Sequence, residues 1–322
     1  MTTFSSFVEK ELKKAPTIEG FGKELCVLGE TNDKIVGLAA DLAGSTKVNL
    51  FGAKFPDRYY NVGIAEQNMF GIAAGLAKCG YIPFATTFSV FASLRALDQI
   101  HTDICYQNLN VKIVGTHGGT SFGTGGSTHH AIEDFAVIRS LANMTLICPA
   151  DMMETALATR AAVYNYGPYY IRLNRGTNPV VYNTEDYGFE VGKAVKMTEG
   201  KDATVIACGS CVYQALLAAQ SLEKEGINVR VLNMHTIKPI DKEAILSAIK
   251  DTGAIVTAED HTVIGGLGSA VADVIAENGV GVKFKKLGIN DIFSPMGAPD
   301  DLLKLHGVDA EGIANSVKAL VQ

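Results

Sequence analysis

The sequence predicts an α/β protein made of two three-layer domains, the second smaller than the first. Short runs rich in β-branched and aromatic residues alternate with Ala-rich or amphipathic stretches, a pattern typical of parallel sheets covered by helices on both faces. The length of 322 residues suits two domains that each bury a core. A change of composition near residue 180 indicates the boundary between them.

The first predicted domain spans residues 1–185 and alternates strands with helices. Its predicted strands are Ile35–Ala40, Tyr59–Val62, Ile82–Thr86, Val111–Gly115, Thr145–Cys148 and Tyr169–Leu173. Its predicted helices are Ala65–Lys78, Phe91–Tyr106, Ala131–Leu141 and Met152–Tyr164. Because helices return the chain between successive strands, we expect a parallel sheet that binds its ligand beyond the carboxyl ends of the strands.

The second predicted domain spans residues 186–322. It begins after the turn Asn174–Pro179 and the polar stretch Tyr182–Gly188. Its predicted strands are Ala203–Ala207, Val229–Leu232, Ala254–Thr257 and Val282–Lys285, and its predicted helices are Val212–Glu225, Lys242–Ile249 and Ser269–Glu277. The segment Ser294–Pro299 breaks the pattern before two final helices.

The composition excludes several classes of protein. Hydrophobic residues make up 47% of the chain and charged residues 19%, proportions that fit a packed globular protein rather than a disordered one. A formal net charge of −6 offers no basic surface for nucleic acid. The sequence shows neither a signal-peptide apolar region nor an apolar run of membrane-spanning length, so we expect a cytoplasmic protein without a membrane partner.

The cysteines are spaced too irregularly for a disulfide framework, which indicates reduced, structural thiols. Cys208 and Cys211 form a C-x-x-C pair, a spacing found in redox and metal sites. Such a site needs further partners that the sequence does not offer. We therefore favour a turn that leads from a strand into the next helix.

One carboxylate and two aromatic rings predict a binding site for a flat heterocycle. Glu66 stands just beyond a short strand, at the start of an Ala- and Gly-rich helix, and Phe88 and Phe91 follow the next strand. A buried carboxyl can hydrogen-bond the aminopyrimidine of thiamine diphosphate while two rings sandwich it. For Glu66 alone, the alternative is a carboxylate stabilised by the helix macrodipole.

A Gly-rich loop with three histidines follows the predicted strand Val111–Gly115. His117, His129 and His130 lie at the carboxyl end of a parallel strand, where open α/β sheets bind ligands. Imidazoles there can hydrogen-bond sugar hydroxyls and transfer protons near neutral pH. No carboxylate sits at ligand spacing, which disfavours a metal site. His130 either has a direct role or helps to cap the next helix.

Two further charged residues follow strands at the same edge. A guanidinium at Arg175 can bind a phosphate through two hydrogen bonds, and the alternative is an arginine paired with a local carboxylate. Asp41 ends the first strand and either lines the site or caps the next segment.

In these motifs the chain resembles the C-terminal half of a transketolase, which is a pyrimidine-binding domain followed by a small transketolase-type C-terminal domain. The similarity runs from about Asp41 to the last helix. It implies thiamine diphosphate as the cofactor and four cofactor-binding residues: Asp41, Glu66, Phe88 and Phe91. Glu66 would be the catalytic carboxylate that activates the cofactor.

The resemblance also implies a substrate site. His117 and His129 would be catalytic and would bind the substrate carbonyl and hydroxyls, and Arg175, rather than Arg172, would bind the substrate phosphate. Gly125 departs from the family pattern, because it stands where transketolases usually carry an Asp that touches a substrate hydroxyl. The segment Glu259–Gly268 matches a signature of the C-terminal domain, for which we predict helix–strand packing and no chemistry.

A missing motif implies a second subunit. Enzymes of this family hold the cofactor diphosphate through Mg²⁺ with a Gly-Asp-Gly segment, and this sequence contains none. The resemblance implies that an N-terminal transketolase subunit supplies the ligands of the diphosphate and of Mg²⁺. It also implies that the chain self-associates through both of its domains, as part of a heterotetramer.

The leading hypothesis is the C-terminal subunit of a split transketolase, which would transfer a two-carbon ketol unit between sugar phosphates of the pentose phosphate pathway. A 1-deoxyxylulose-5-phosphate synthase half and a 2-oxo acid dehydrogenase beta subunit remain alternatives, because both share the segment Gly63–Gln67. Either of them would consume pyruvate. A third alternative is a non-catalytic partner that keeps the fold and regulates another enzyme.

Overall fold

The computed structural model describes residues 12–322, and our expectation about the first residues of the chain lies outside them. Each predicted strand is present. Numbered along the chain, the strands are β1 (Lys14–Pro16), β2 (Ile35–Ala39), β3 (Tyr59–Asn61), β4 (Ile82–Phe88), β5 (Lys112–Thr116), β6 (Thr145–Ile147), β7 (Tyr169–Arg172), β8 (Thr177–Pro179), β9 (Val195–Thr198), β10 (Ala203–Ala207), β11 (Val229–Asn233), β12 (Thr236–Lys238), β13 (Ala254–Thr262) and β14 (Lys283–Ile289).

The helices confirm most of the predicted pattern. They are α1 (Thr17–Thr31), α2 (Ala43–Thr46), α3 (Val48–Lys54), α4 (Glu66–Lys78), α5 (Leu97–Gln99), α6 (Asp134–Ser140), α7 (Met152–Tyr164), α8 (Cys211–Glu223), α9 (Lys242–Thr252), α10 (Leu267–Glu277), α11 (Pro299–Leu305) and α12 (Ala310–Val321). The sequence analysis missed α1, which buries Phe21 and Leu25 and packs against α7.

The predicted helix Phe91–Tyr106 is wrong in kind. Two π-helical segments, Phe91–Arg95 and Ile100–Cys105, lie on either side of the short helix α5. An apolar pattern indicates which face of a helix is buried. It does not reveal whether the backbone hydrogen bonds span four residues, as in an α-helix, or five, as in a π-helix. π-helical turns are rare and occur often at functional sites. The first of the two segments, Phe91–Arg95, lies just after β4.

The larger sheet has seven strands in the order β12-β6-β7-β5-β4-β2-β3. Every pair in it is parallel except β12–β6. The parallel strands are buried along their length where helices cover both faces, as in β2, β5 and β7. The carboxyl ends of β7, β5, β4 and β2 therefore form one continuous edge.

The smaller sheet has five strands in the order β14-β13-β10-β11-β9. Its four predicted strands are parallel, and β9, which the sequence analysis missed, adds an antiparallel edge to β11. β1 and β8 form a separate antiparallel pair. The overall architecture confirms the predicted α/β class with mainly parallel sheets.

The two sheets are more closely joined than the sequence indicates. β12 lies in the second half of the chain but pairs with β6 in the larger sheet. One apolar core contains Met69 and Ile113 from the first half together with Ile206, Leu232 and Ile255 from the second. The predicted boundary falls between β8 and β9, and it stays a prediction. Among the described helices, none is both long and apolar enough to cross a membrane.

Candidate active site

The larger sheet brings the predicted site residues to one edge. Asp41 follows β2, Phe88 ends β4, His117 follows β5 and Arg175 follows β7. These four strands are neighbours in the order β7-β5-β4-β2. Parallel strands present their carboxyl ends on the same side, so residues that are far apart in the sequence line one cleft.

Glu66 is buried at the start of α4, with 2% of its surface exposed. Thr87 Oγ1 lies 3.5 Å from Glu66 Oε1, and Arg95 Nη1 donates to both carboxylate oxygens at 3.0 Å. The side chain of Arg95 is 46% exposed. Arg95 and the segment 64–68 line a concave surface with a volume of about 620 Å³. The carboxylate therefore faces an accessible hollow.

The aromatic pair is stacked, and the expected sandwich around a bound heterocycle stays a prediction. The ring centroids of Phe88 and Phe91 lie 5.6 Å apart, with an interplanar angle of 26°. This separation is direct ring-to-ring contact, for which about 4.5–7 Å is usual, and it leaves no room for a third ring between them. Phe91 also carries the Arg95 guanidinium, whose carbon lies 4.1 Å from the ring centroid. The two rings form a platform beside Glu66.

His117 is buried against this platform in a left-handed backbone conformation, with φ of 59°. Its ring centroid lies 4.1 Å from that of Phe88, and its Nδ1 lies 2.9 Å from Thr116 Oγ1. Burial lowers the pKa of His117 to about 4, and the charges of Arg175 and His129 add to this effect. The imidazole is therefore neutral near pH 7, and its surroundings disfavour the protonated form.

His129 and His130 have different surroundings. His129 is partly exposed, with ring centroids 5.7 Å from Phe91 and 4.9 Å from Phe122. His130 is buried, and its Nε2 lies 3.1 Å from the carbonyl oxygen of Gly123. The following helix α6 begins at Asp134 without a side-chain cap. His130 therefore does not cap this helix and contacts the loop at Gly123 instead, and its direct role stays a prediction.

The two arginines near β7 have different surroundings. Arg172 is fully buried, with Nε 3.4 Å from Asp134 Oδ2 and Nη2 donating to the carbonyl oxygen of Asp260 at 2.8 Å. Arg175 points into a cleft of about 530 Å³ and donates from Nη1 to the carbonyl oxygen of Phe122 at 2.9 Å. Within residues 12–322 Arg175 forms no ion pair, so its charge is available to an anion.

Asp41 lies at the far end of the edge, with φ of 60°. Its backbone N–H donates to Asn61 Oδ1 at 3.0 Å, and its carboxylate accepts from Asn61 Nδ2 at 3.4 Å. The next helix, α2, begins at Ala43 without a side-chain cap. The exposed carboxylate of Asp41 therefore does not act as the helix cap that we considered.

Phe122 is a residue of the site that the sequence analysis missed. Its ring centroid lies 5.2 Å from that of His117 and 5.5 Å from that of Phe88, and the Arg175 guanidinium carbon lies 4.8 Å from it. In the loop from Thr116 to His130 it is the single large apolar side chain. That isolation among Gly, Ser, Thr and His residues was the available signal.

The second half of the chain fixes the histidine loop. Asp260 accepts hydrogen bonds from the backbone N–H of Thr120 at 3.0 and 3.1 Å and from its Oγ1 at 2.9 Å. Glu259 accepts from the backbone N–H groups of Leu267 and Gly268 at the start of α10. The predicted close packing of this signature is present, and Asp260 adds a link to the site.

The two halves of the chain match two families: the transketolase pyrimidine-binding domain over residues 13–180 and the transketolase C-terminal domain over residues 192–313. The chain belongs to the transketolase family. It is 45% identical to a transketolase C-terminal section from Methanocaldococcus jannaschii, over 93% of this chain and 94% of that protein. It therefore corresponds to the C-terminal section of a divided transketolase.

Two further relatives extend this result. The chain is 41% identical to a 6-deoxy-6-sulfo-D-fructose transketolase subunit from a Clostridium species, over 91% of this chain and 90% of that protein. It superposes on a split-gene transketolase described as an inactive beta4 tetramer, with a TM-score of 0.88 and 46% identity over 95% of this chain and 98% of the other.

The geometry at Glu66 fits the aminopyrimidine of thiamine diphosphate. The guanidinium of Arg95 is a flat group with N–H donors, and it already contacts both the Glu66 carboxylate and the face of Phe91. An aminopyrimidine offers the same combination of flat shape and N–H donors. Among the described residues, no group of three or more His, Cys, Asp or Glu side chains is placed to hold a metal ion.

Proposed function

We propose that this chain binds the pyrimidine half of thiamine diphosphate and, with an N-terminal transketolase subunit, transfers a two-carbon ketol unit between anionic sugars. One observation carries the proposal. The buried carboxylate of Glu66, the aromatic platform and the histidine loop lie along one edge of a sheet in a chain of the transketolase family. The platform of Phe88 and Phe91 would support the pyrimidine.

Each group has a defined task in this proposal. The bound cofactor supplies a nucleophilic carbon for ketol transfer. The Glu66 carboxyl hydrogen-bonds the pyrimidine and fixes its protonation state. His117, being neutral, accepts hydrogen bonds from substrate hydroxyls, and His129 orients those hydroxyls from the partly exposed side of the cleft. Arg175 binds the anionic end of the sugar through charge-assisted hydrogen bonds.

A second subunit is part of the proposal. The sequence lacks the Gly-Asp-Gly segment, so we place the ligands of Mg²⁺ and of the diphosphate on an N-terminal partner. The beta4 tetramer of the similar split-gene transketolase is described as inactive, which supports both self-association and dependence on a partner. We propose a heterotetramer that binds its cofactors between subunits.

The proposal allows either a phosphate or a sulfonate as the anionic group of the sugar. A relative with 41% identity is named for a 6-sulfo sugar, and a guanidinium pairs with either tetrahedral oxyanion. A panel of ketose donors and aldose acceptors carrying phosphate, sulfonate or no anion distinguishes them. We expect Arg175→Ala to raise KM for anionic sugars far more than for neutral ones, with Lys196→Ala as a surface control.

The proposal is tested with the chain reconstituted with its partner, thiamine diphosphate and Mg²⁺. Glu66→Gln keeps the shape of the side chain but removes its acid–base function, so we expect turnover to fall by roughly two to four orders of magnitude. Glu30→Gln, an exposed site on α1, is the matched control. Near-normal turnover of the Glu66 variant would remove this residue from the mechanism, and pyruvate consumption without ketol transfer would favour the alternative activities.

A further inference from the structure

Phe122 stands at the centre of the residues that handle the substrate in the proposed function. Its ring contacts those of His117 and His129, with centroids 5.2 and 4.9 Å apart. The Arg175 guanidinium lies over the same ring and bonds to the backbone carbonyl of Phe122. A sugar that reaches from the histidines to Arg175 must therefore pass the Phe122 ring.

Gly125 makes this position of the ring feasible. A Cβ atom built on Gly125 would lie 2.9 Å from Cγ of Phe122 and closer still to Cδ1 and Cε1. Cγ is the atom that joins the ring to the Cβ of Phe122. A small tilt of the ring about this atom therefore cannot relieve the overlap with a Cβ at position 125. Any side chain at position 125 and the ring of Phe122 in this place exclude each other.

The Phe122 ring occupies the space that Gly125 leaves by having no side chain. The space near the glycine is filled by an aromatic ring, which has no hydrogen-bond acceptor of the carboxylate type. A substrate hydroxyl held against the ring loses water without gaining a partner. A C–H group at the same place loses nothing and gains contact with the ring. The wall that faces the sugar is apolar.

We propose that Phe122, seated over Gly125, determines specificity by selecting anionic sugars that lack a hydroxyl at the carbon facing its ring. The substrate class is a deoxy sugar, or a sugar whose configuration turns that hydroxyl away from the ring. The inference rests on the proposed function, because it assigns the specificity of the same site. Phe122 contacts substrate without taking part in proton transfer.

The test uses the reconstituted complex and two acceptors, ribose 5-phosphate and 2-deoxyribose 5-phosphate. We expect wild type to prefer the deoxy acceptor in kcat/KM by about 10- to 100-fold, the range in which an apolar pocket disfavours an added hydroxyl. Phe122→Ala should abolish most of this preference, and Tyr166→Ala, an exposed aromatic site, should leave it unchanged. An unchanged ratio in Phe122→Ala overturns the proposal.

A second measurement does not depend on activity. Gly125→Asp alone should lower the melting temperature of the chain because of the overlap with the ring, and Phe122→Ala in the same chain should restore much of the loss. The double variant should also favour the hydroxylated acceptor. If the Gly125→Asp protein is as stable as wild type, a side chain at position 125 does not clash with the Phe122 ring, and the proposal is overturned. If the wild-type complex transfers no ketol unit to any acceptor, the proposed function fails, and the specificity role fails with it.

Discussion

Arg95 binds the two groups that we assign to the pyrimidine. Its guanidinium donates to both oxygens of Glu66 and lies 4.1 Å from the centroid of the Phe91 ring. The π-helical turn Phe91–Arg95 places both side chains on the same side of the chain. In the proposed function, the pyrimidine would take the place of the guanidinium, which would make Arg95 a competitor for the site.

We expect Arg95→Gln to strengthen the binding of thiamine diphosphate to the reconstituted complex by up to about fivefold. A half-exposed ion pair contributes at most about 1 kcal/mol, so the gain from removing it is modest. Cofactor titration at fixed Mg²⁺ measures the effect, with Lys23→Gln on α1 as the control. Weaker binding in the Arg95 variant would show that the guanidinium stays in place and supports the cofactor.

The pKa of His117 gives a pH dependence with a defined sign. Its pKa is about 4 in the folded chain and about 6.5 in an unfolded one. Above pH 6.5 the imidazole is neutral in both states, so its contribution to stability is fully present. As the pH falls from 6.5 towards 4, only the unfolded chain gains the proton, and up to about 3 kcal/mol is lost.

We expect His117→Asn to flatten the dependence of the melting temperature on pH between about 6.5 and 4 relative to wild type. His101→Asn, an exposed site at the protein surface, should leave the slope unchanged. An unchanged slope in the His117 variant would mean that other groups cause the loss of stability at low pH. The buried His235 and His261 are such groups, because burial lowers their pKa values to about 3.

At the scale of elements, the loop from Thr116 to His130 depends on the second half of the chain. Asp260, at the carboxyl end of β13, accepts three hydrogen bonds from Thr120. Behind it, Glu259 fixes the start of α10. The smaller sheet therefore holds the histidine loop in place through Asp260.

We expect Asp260→Asn to lower kcat/KM by about 10- to 100-fold. The substitution replaces one carboxylate oxygen with an amide N–H donor that faces the N–H of Thr120. A hydrogen bond to a charged group contributes roughly 1.5–3 kcal/mol, and this contribution is lost. Cofactor affinity, which depends on Glu66, should stay close to wild type. Asp251→Asn is an exposed control. A parallel loss of cofactor affinity would indicate general unfolding instead of a displaced loop.

The regular elements of the fold were predictable because alternation and periodicity record which side chains are buried. Every predicted strand is present, and α7 has the predicted bounds. The π-helical segments and the stacked contact between Phe88 and Phe91 were not predictable, since both depend on packing that local patterns do not encode. Phe122 lies in a loop whose conformation is set by a residue more than a hundred positions away, Asp260.

At the scale of the molecule, strand order explains how much of the site the sequence revealed. Residues that closely follow strands reach the same edge once those strands are neighbours and parallel, so the positions of His117 and Arg175 could be predicted. Glu66 begins the helix that follows β3 and reaches the same region. The pairing of β12 with β6 could not be predicted. It joins the two halves through a shared core, and any account of stability must treat them together.

Two exposed apolar residues lie at or near the hollow beside Glu66, and one of them, Ile64, lines it. Ile64 is 77% exposed and Leu94 is 50% exposed, and they lie next to Ala65 and Arg95. We propose that these two side chains belong to a rim that another chain covers. In the proposed heterotetramer this rim is buried when the subunits assemble around the cofactor, which would exclude water from the Glu66 carboxyl.

We expect Ile64→Glu to block assembly and ketol transfer while leaving the melting temperature of the isolated chain unchanged, because a charge at a buried apolar contact is costly only in the complex. Sedimentation analysis with and without the N-terminal subunit measures the first effect. Val27→Glu on α1 is the matched control, since Val27 is an apolar residue with 55% exposure. Normal assembly of the Ile64 variant would place the subunit contact elsewhere. Transfer by the isolated wild-type chain would contradict the requirement for a partner.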